Sequence, residues 1–354
     1  QAQPSQRLRH WRGWGLSPGV EGMGSQSNGP DGSSKGDAEG EVIFLGTGVS
    51  TGLPRIGCVL YNSPRDCKVC KTALANPFDP NNRGNVSILI RRKIVNEEGG
   101  VVDKCIMVDA GKTMRQSVLR WFPRHQVSHI DAVILTHGHA DAMGGIDDLR
   151  DLQKVVASFG EDGEIKEFFI AKELPIYLNE ATLACCRGSY PYLMNQPEES
   201  KSKAKDVPRR IARLRWTLVE NTVPFTVEGV EVIPLPVLHG GSYVSLGFAF
   251  GGGRFTYISD VSCIPEEMYA QLAGYDIQVL VMDALATFRN PSHFSLDEAL
   301  EAIRRLKPKK AFLVGMSCEM VRGALSLPAP VCCEPLIYPP TCPFACRFDS
   351  GLAP

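Results

Sequence analysis

The sequence predicts an α+β protein in which two sheets are sandwiched between helices. Short apolar, β-branched runs dominate both halves of the chain, with helical patterns between them. Several of these runs end on a histidine or an aspartate. The most informative stretch, Val133 to Arg150 (VILTHGHADAMGGIDDLR), passes directly from a strand pattern into His137, His139 and Asp141. A short turn after a buried strand can aim these three side chains into one cavity. Imidazole and carboxylate are both good ligands for zinc, manganese or iron. A turn with solvated histidines is the blander reading, weakened because two of the chain's seven histidines sit here.

The elements follow in order. Glu41 to Leu45 is a strand, and the glycine-rich turn Gly46 to Gly52 after it could offer backbone N–H groups to an anion. That turn matches neither a Walker A nor a dinucleotide fingerprint. Strands are expected at Asn85 to Arg91 and Lys104 to Val108, the second ending in Asp109. Met114, Val118, Leu119 and Phe122 share one face of a helix over Thr113 to Phe122. The strand Ile130 to Leu135 delivers the histidine motif. Gly145 to Val156 reads as a helix with Asp147 and Asp148 in its first turn, and Ser158 to Lys166 as a loop. Strands at Pro175 to Leu178 and Trp216 to Leu218 flank a basic, helical insert, Lys201 to Arg215. Val223 to Val232 reads as a hairpin, and Pro234 to Leu238 leads into His239. Ser245 to Phe250 and Arg254 to Ile258 form a second hairpin, followed by Asp260. Ile277 to Met282 is a strand ending at Asp283, Leu296 to Leu306 an amphipathic helix, and Lys310 to Val314 the last clear strand.

Composition sets the class. The chain has 354 residues, 44% hydrophobic and 22% charged, which suits a soluble protein with a substantial core. A net charge of -1 gives no global basic field for nucleic acid. No apolar run is long enough to cross a bilayer. Residues 1–40 are rich in Gln, Ser, Gly and Pro and are expected to be disordered. Met23 is the expected start of translation; the early arginines otherwise resemble an organelle transit peptide. Twelve cysteines without a signal peptide point to a reducing compartment, and a cytoplasmic location is expected. Cys67 and Cys70 form a CxxC and, with Cys58, supply three soft metal ligands near the glycine-rich turn; a redox CxxC is the alternative. From Ser326 the chain turns Pro- and Cys-rich, so 319–354 reads as an atypical, disordered tail after a domain spanning 41–318.

LTHGHAD, the later His239 and Tyr257-Ile258-Ser259-Asp260 resemble the metallo-β-lactamase superfamily of hydrolases. FLGTGVSTGLPRIGC, the Cys58/Cys67/Cys70 group and THGHADAMGGIDDLR narrow the resemblance to the PhnP-type cyclic phosphodiesterases with their plant and fungal relatives, and more distantly to tRNase Z. The resemblance implies a four-layer αββα sandwich, the metallo-β-lactamase fold. It also implies a metal-bound hydroxide that attacks a small, possibly cyclic, phosphoester. His137, His139 and His239 match the first metal site, Asp260 the carboxylate bridging two metals, and Asp141 the second site and a catalytic position. The ions would be zinc or manganese, one or two per chain; the resemblance also implies a structural zinc at Cys58, Cys67 and Cys70, bound weakly or completed by a borrowed cysteine such as Cys318. His293 resembles a non-ligand histidine that touches the phosphate or protonates the leaving oxygen; a helix-entry surface residue is its other reading. Two departures stand out. Ala142 occupies the place of a ligand histidine, and Cys318 that of the histidine in a Gly-Met-x-His-Glu stretch. A tRNase Z-like nuclease and a catalytically impaired chain with an incomplete second site are therefore the competing readings. The expected partner is a small phosphoester rather than nucleic acid or a membrane, and a homodimer is left open.

Overall fold

The computed structural model describes residues 40–61, 66–96, 99–161, 163–170, 172–194, 202–203, 211–320 and 331–332. The expectations for residues 1–39, for most of the basic insert and for Cys333, Cys342 and Cys346 lie outside them. The strands are β1 (Gly40–Gly46), β2 (Ser87–Val95), β3 (Val101–Val108), β4 (Ala132–Ile134), β5 (Val155–Phe159), β6 (Ile165–Ile170), β7 (Leu174–Leu178), β8 (Ser202–Lys203), β9 (Leu214–Leu218), β10 (Phe225–Val227), β11 (Val230–Leu238), β12 (Val244–Phe250), β13 (Phe255–Ile258), β14 (Val279–Asp283), β15 (Lys310–Val314) and β16 (Val331–Cys332). The helices are α1 (Ile56–Leu60), α2 (Lys68–Ala75), α3 (Met114–His125), α4 (Ala140–Met143), α5 (Glu180–Ser189), α6 (Pro191–Met194), α7 (Glu266–Ala273) and α8 (Leu296–Leu306).

Alternation along the strands builds the layers. In β1, Val42 and Phe44 point into a core shared by both large sheets, while Ile43 and Leu45 join Met114, Trp121 and Phe122 of α3. In β14, Val279 and Val281 enter the shared core, while Leu280 and Met282 pack with Met268 and Leu272 of α7 and Ala299 and Ile303 of α8. A strand buried on both faces needs apolar residues at every position, which is how β4 and β14 read. The result is the expected αββα sandwich, with a six-stranded sheet ordered β1-β2-β3-β4-β7-β9 and a seven-stranded sheet ordered β10-β11-β12-β13-β14-β15-β16. β3 and β4 pair in parallel, as do β13 and β14. Their C-terminal ends therefore share an edge within each sheet, and the residues that follow collect there.

The structure differs from the sequence expectations at four places. The helix expected over Gly145 to Val156 is a 3-10 helix at Ile146–Leu152, after which Val155 and Val156 enter β5. The β-branched pair prefers the pleated strand to a helix. The loop expected over Ser158 to Lys166 is largely the turn of the β5–β6 hairpin, which forms a separate small sheet with β8. Of the basic insert, Ser202–Lys203 and Leu214–Arg215 are strand, not helix. Finally, Val331–Cys332 adds β16 beside β15, in a tail where no strand was expected. Among the described residues no helix is long and apolar enough to cross a membrane.

Candidate metal centre

The candidate site is assembled by strand ends. After β3, Asp109 adopts φ 63°, a left-handed backbone that turns the chain toward Gly111. Asp109 is buried, and its Oδ1 accepts the backbone N–H of Thr136 at 2.9 Å. Thr136 Oγ1 lies 3.0 Å from both Asp109 oxygens and 2.8 Å from His137 Nδ1. With the hydroxyl hydrogen on Asp109, Oγ1 accepts from His137 Nδ1–H, and Nε2 keeps a free lone pair. Asp109 thus stands behind His137 and holds it.

His137, His139 and His239 bring ring nitrogens within 4.8 Å of one another. His239 arrives from β11, and its Nδ1–H donates to the Ser292 carbonyl at 2.7 Å. Its Nε2 faces His139 Nδ1 at 3.3 Å. Burial holds His137 in the neutral form, its pKa lowered to about 3, and lowers His139 as well. Neutral imidazoles are the form a metal requires. His137 Nε2 is buried without a hydrogen-bond partner, the nearest carboxylate oxygen being Asp141 Oδ1 at 3.9 Å. An orphaned buried nitrogen among converging imidazoles suits a divalent ion.

Asp260 and His293 form a second close group with His239. Burial alone would raise the Asp260 carboxyl, but His137, His239 and His293 outweigh it and lower its pKa. Asp141 is raised by burial and then by Asp260. Asp141 lines the same cavity as Asp260 and His293 but belongs to neither close group of ligand atoms. Ala142 lines that cavity too, presenting a methyl group that cannot bind a metal. His293 lies two residues before the α8 N-cap Ser295, but it is largely buried rather than on the surface, and its Nδ1 lies 2.8 Å from Oδ2 of the fully buried Asp283. Burial would lower the His293 pKa, but the charge and hydrogen bond of Asp283 hold it up at about 9.

A separate group lies beside the glycine-rich turn. Cys58, Cys67, Cys70 and Cys318 bring their sulfurs within 4.8 Å of one another, with Cys58 Sγ 3.9 Å from Cys318 Sγ. Four Zn–S bonds of about 2.3 Å in a tetrahedron require sulfurs roughly 3.8 Å apart. Arg55 N–H donates to Cys70 Sγ at 3.3 Å. Cys318 therefore sits with the three sequence-predicted cysteines and not at the histidine centre. Sequence reasoning passed over Thr136, Tyr243 and Asp283 as site residues. Asp283 gave a signal, since it ends a strand as Asp260 nearly does.

The family model of the beta-lactamase superfamily domain matches residues 104–316. The chain belongs to this superfamily of hydrolytic metalloenzymes. Among solved structures, it is similar to a diphosphatase from the PhnP family, at 26% identity over 82% of this chain and 92% of that one, with a TM-score of 0.60. It is 26% identical over 276 residues to an octanoyltransferase from Porphyromonas gingivalis, covering 78% of this chain but 45% of that protein. The chain thus spans under half the length of that relative. It is also 27% identical over 232 residues to the anti-Pycsar protein Apyc1 of Paenibacillus harenae, covering 65% of this chain and 80% of that protein.

Proposed function

We propose that the chain is a metal-dependent phosphodiesterase acting on a small phosphoester, a cyclic phosphate among the candidates. One observation carries the reading: three imidazoles converge beside the orphaned His137 Nε2, and the His293–Asp283 couple adjoins them at His239. The likeness to a PhnP-family diphosphatase supports phosphoester chemistry over other hydrolyses. His137, His139, His239 and Asp260 would hold the ion, zinc or manganese. When bound, such an ion supplies a Lewis acid and a nucleophile usable at neutral pH. Asp141 faces the same cavity and orients water or substrate there. His293, kept protonated by Asp283, gives its proton to the leaving oxygen. The four cysteines hold a structural zinc that ties Cys318 to α1 and α2. With Ala142 a methyl and Cys318 committed elsewhere, the ligands present complete one catalytic ion, not two.

The test is a metal count by mass spectrometry beside turnover of bis-p-nitrophenyl phosphate. Wild-type protein is expected to bind a catalytic ion and turn over, and His139→Ala to lose both. Activity retained in His139→Ala sinks the site assignment. Metal-loaded wild type without turnover leaves the impaired reading standing. Salt-sensitive cleavage of RNA, lost on neutralising Arg209 and Arg210, would favour the nuclease reading instead.

A further inference from the structure

Tyr243 lies against His137, His139 and His239. It sits in the turn between β11 and β12, and its carbonyl accepts the His239 N–H at 2.8 Å. Its ring lies flat on His139, with centroids 4.7 Å apart and planes 7° from parallel. Its hydroxyl accepts the Gly138 N–H at 3.1 Å. It meets His137 and His239 edge-on at 6.3 and 6.2 Å.

We infer that Tyr243 is a positioning residue: it clamps the His137-Gly138-His139 turn against His239 and fixes the His139 ring in its ligand orientation. The inference rests on the proposed metal reading. The three histidines are not held alike. His137 is buried and backed by Thr136, and His239 is buried and backed by the Ser292 carbonyl. His139 is exposed, and among the described residues its recorded hydrogen bond goes to His239, a fellow ligand. Ligand imidazoles are ordinarily oriented by a hydrogen bond on their second nitrogen. At His139 the flat stack takes that place, removing ring rotations that binding would otherwise have to freeze. Coordination draws electron density from the imidazole, which strengthens its stacking on an electron-rich phenol. The clamp therefore favours the loaded state. It also joins the two halves of the fold, because His139 follows β4 of one sheet and Tyr243 precedes β12 of the other. Glycine at 138 is part of the device: a Cβ there would lie 2.6 Å from Cys185 Sγ and 3.4 Å from Tyr243 Oη.

The test titrates cobalt(II) into the metal-free full chain and follows the visible bands that lack thiolate charge transfer, so that the histidine centre is read apart from the cysteines. Tyr243→Leu keeps bulk and removes the stack; it is expected to weaken cobalt binding at least about tenfold, the scale of a lost orienting partner. Tyr243→Phe keeps the stack and loses the Gly138 acceptor, so its loss is expected to be smaller, about threefold. Equal affinity in wild type and both variants overturns the clamp while leaving the metal reading intact. A wild-type chain whose cobalt bands survive His139→Ala overturns the metal reading and the clamp with it. Should Tyr243→Leu fail to fold, Tyr243→Met, which also lacks the ring, decides: an affinity equal to wild type overturns the proposal.

Discussion

His293 Nδ1 lies 2.8 Å from Oδ2 of Asp283, a carboxylate with no solvent exposure at the end of β14. The same Oδ2 accepts the Val261 N–H at 3.2 Å, next to Asp260. The pair ties His293 to the strand that precedes it and to the loop that carries Asp260. Asp283→Asn keeps the shape and removes the charge that holds His293 protonated. The expected result is a kcat lower by about a hundredfold with metal content unchanged. The loss should be larger for a phenyl than for a p-nitrophenyl leaving group, since nitrophenolate departs with little help. Equal losses for both leaving groups would remove His293 from proton delivery.

Thr136→Val is nearly isosteric but breaks the chain from Asp109 to His137 Nδ1. Metal affinity at the histidine centre should fall about tenfold or more. A chelator competition assay reads this directly. Unchanged affinity would mean that packing alone orients His137.

The cysteine group predicts one further equivalent of zinc per chain. Cys318→Ser should abolish it while leaving the histidine centre loaded. If the site contributes about 2 kcal/mol, the melting midpoint drops by roughly 3–4 °C. Zinc content unchanged in Cys318→Ser would remove Cys318 from the site.

Gly111→Ala tests how closely the site is packed. A Cβ at Gly111 would stand 1.8 Å from the Asp141 carbonyl oxygen, which belongs to backbone and cannot simply step aside. The α4 turn carrying Asp141 must shift, and a cost of about 2 kcal/mol or more is expected. Urea unfolding measures it. A midpoint equal to wild type would show that the turn is looser than its contacts imply.

Much of this architecture is legible in the chain itself. Apolar alternation marked β1 and both hairpins near His239, and the amphipathic run of α8 was placed at Leu296 to Leu306, where its Ser295–Glu298 capping box sets the start. His137, His139, His239 and Asp260 stood out because each follows a strand pattern, a position set by local sequence. Local sequence also misled: Val155 and Val156 extended a helical pattern on paper and joined a hairpin in the fold. What tertiary structure alone decided are the relations across long separations. Which cysteine completes the group at Cys58, what backs His293, and which aromatic ring lies on His139 all depend on how the two sheets face each other. Strand periods report which way a side chain points, not which distant side chain it meets. The sequence by itself determined the layers and the imidazoles; only the packed sandwich decided that Cys318 sits with the cysteines, that Ala142 lines the cavity as a bare methyl, and that Asp283 and Tyr243 hold the residues around it.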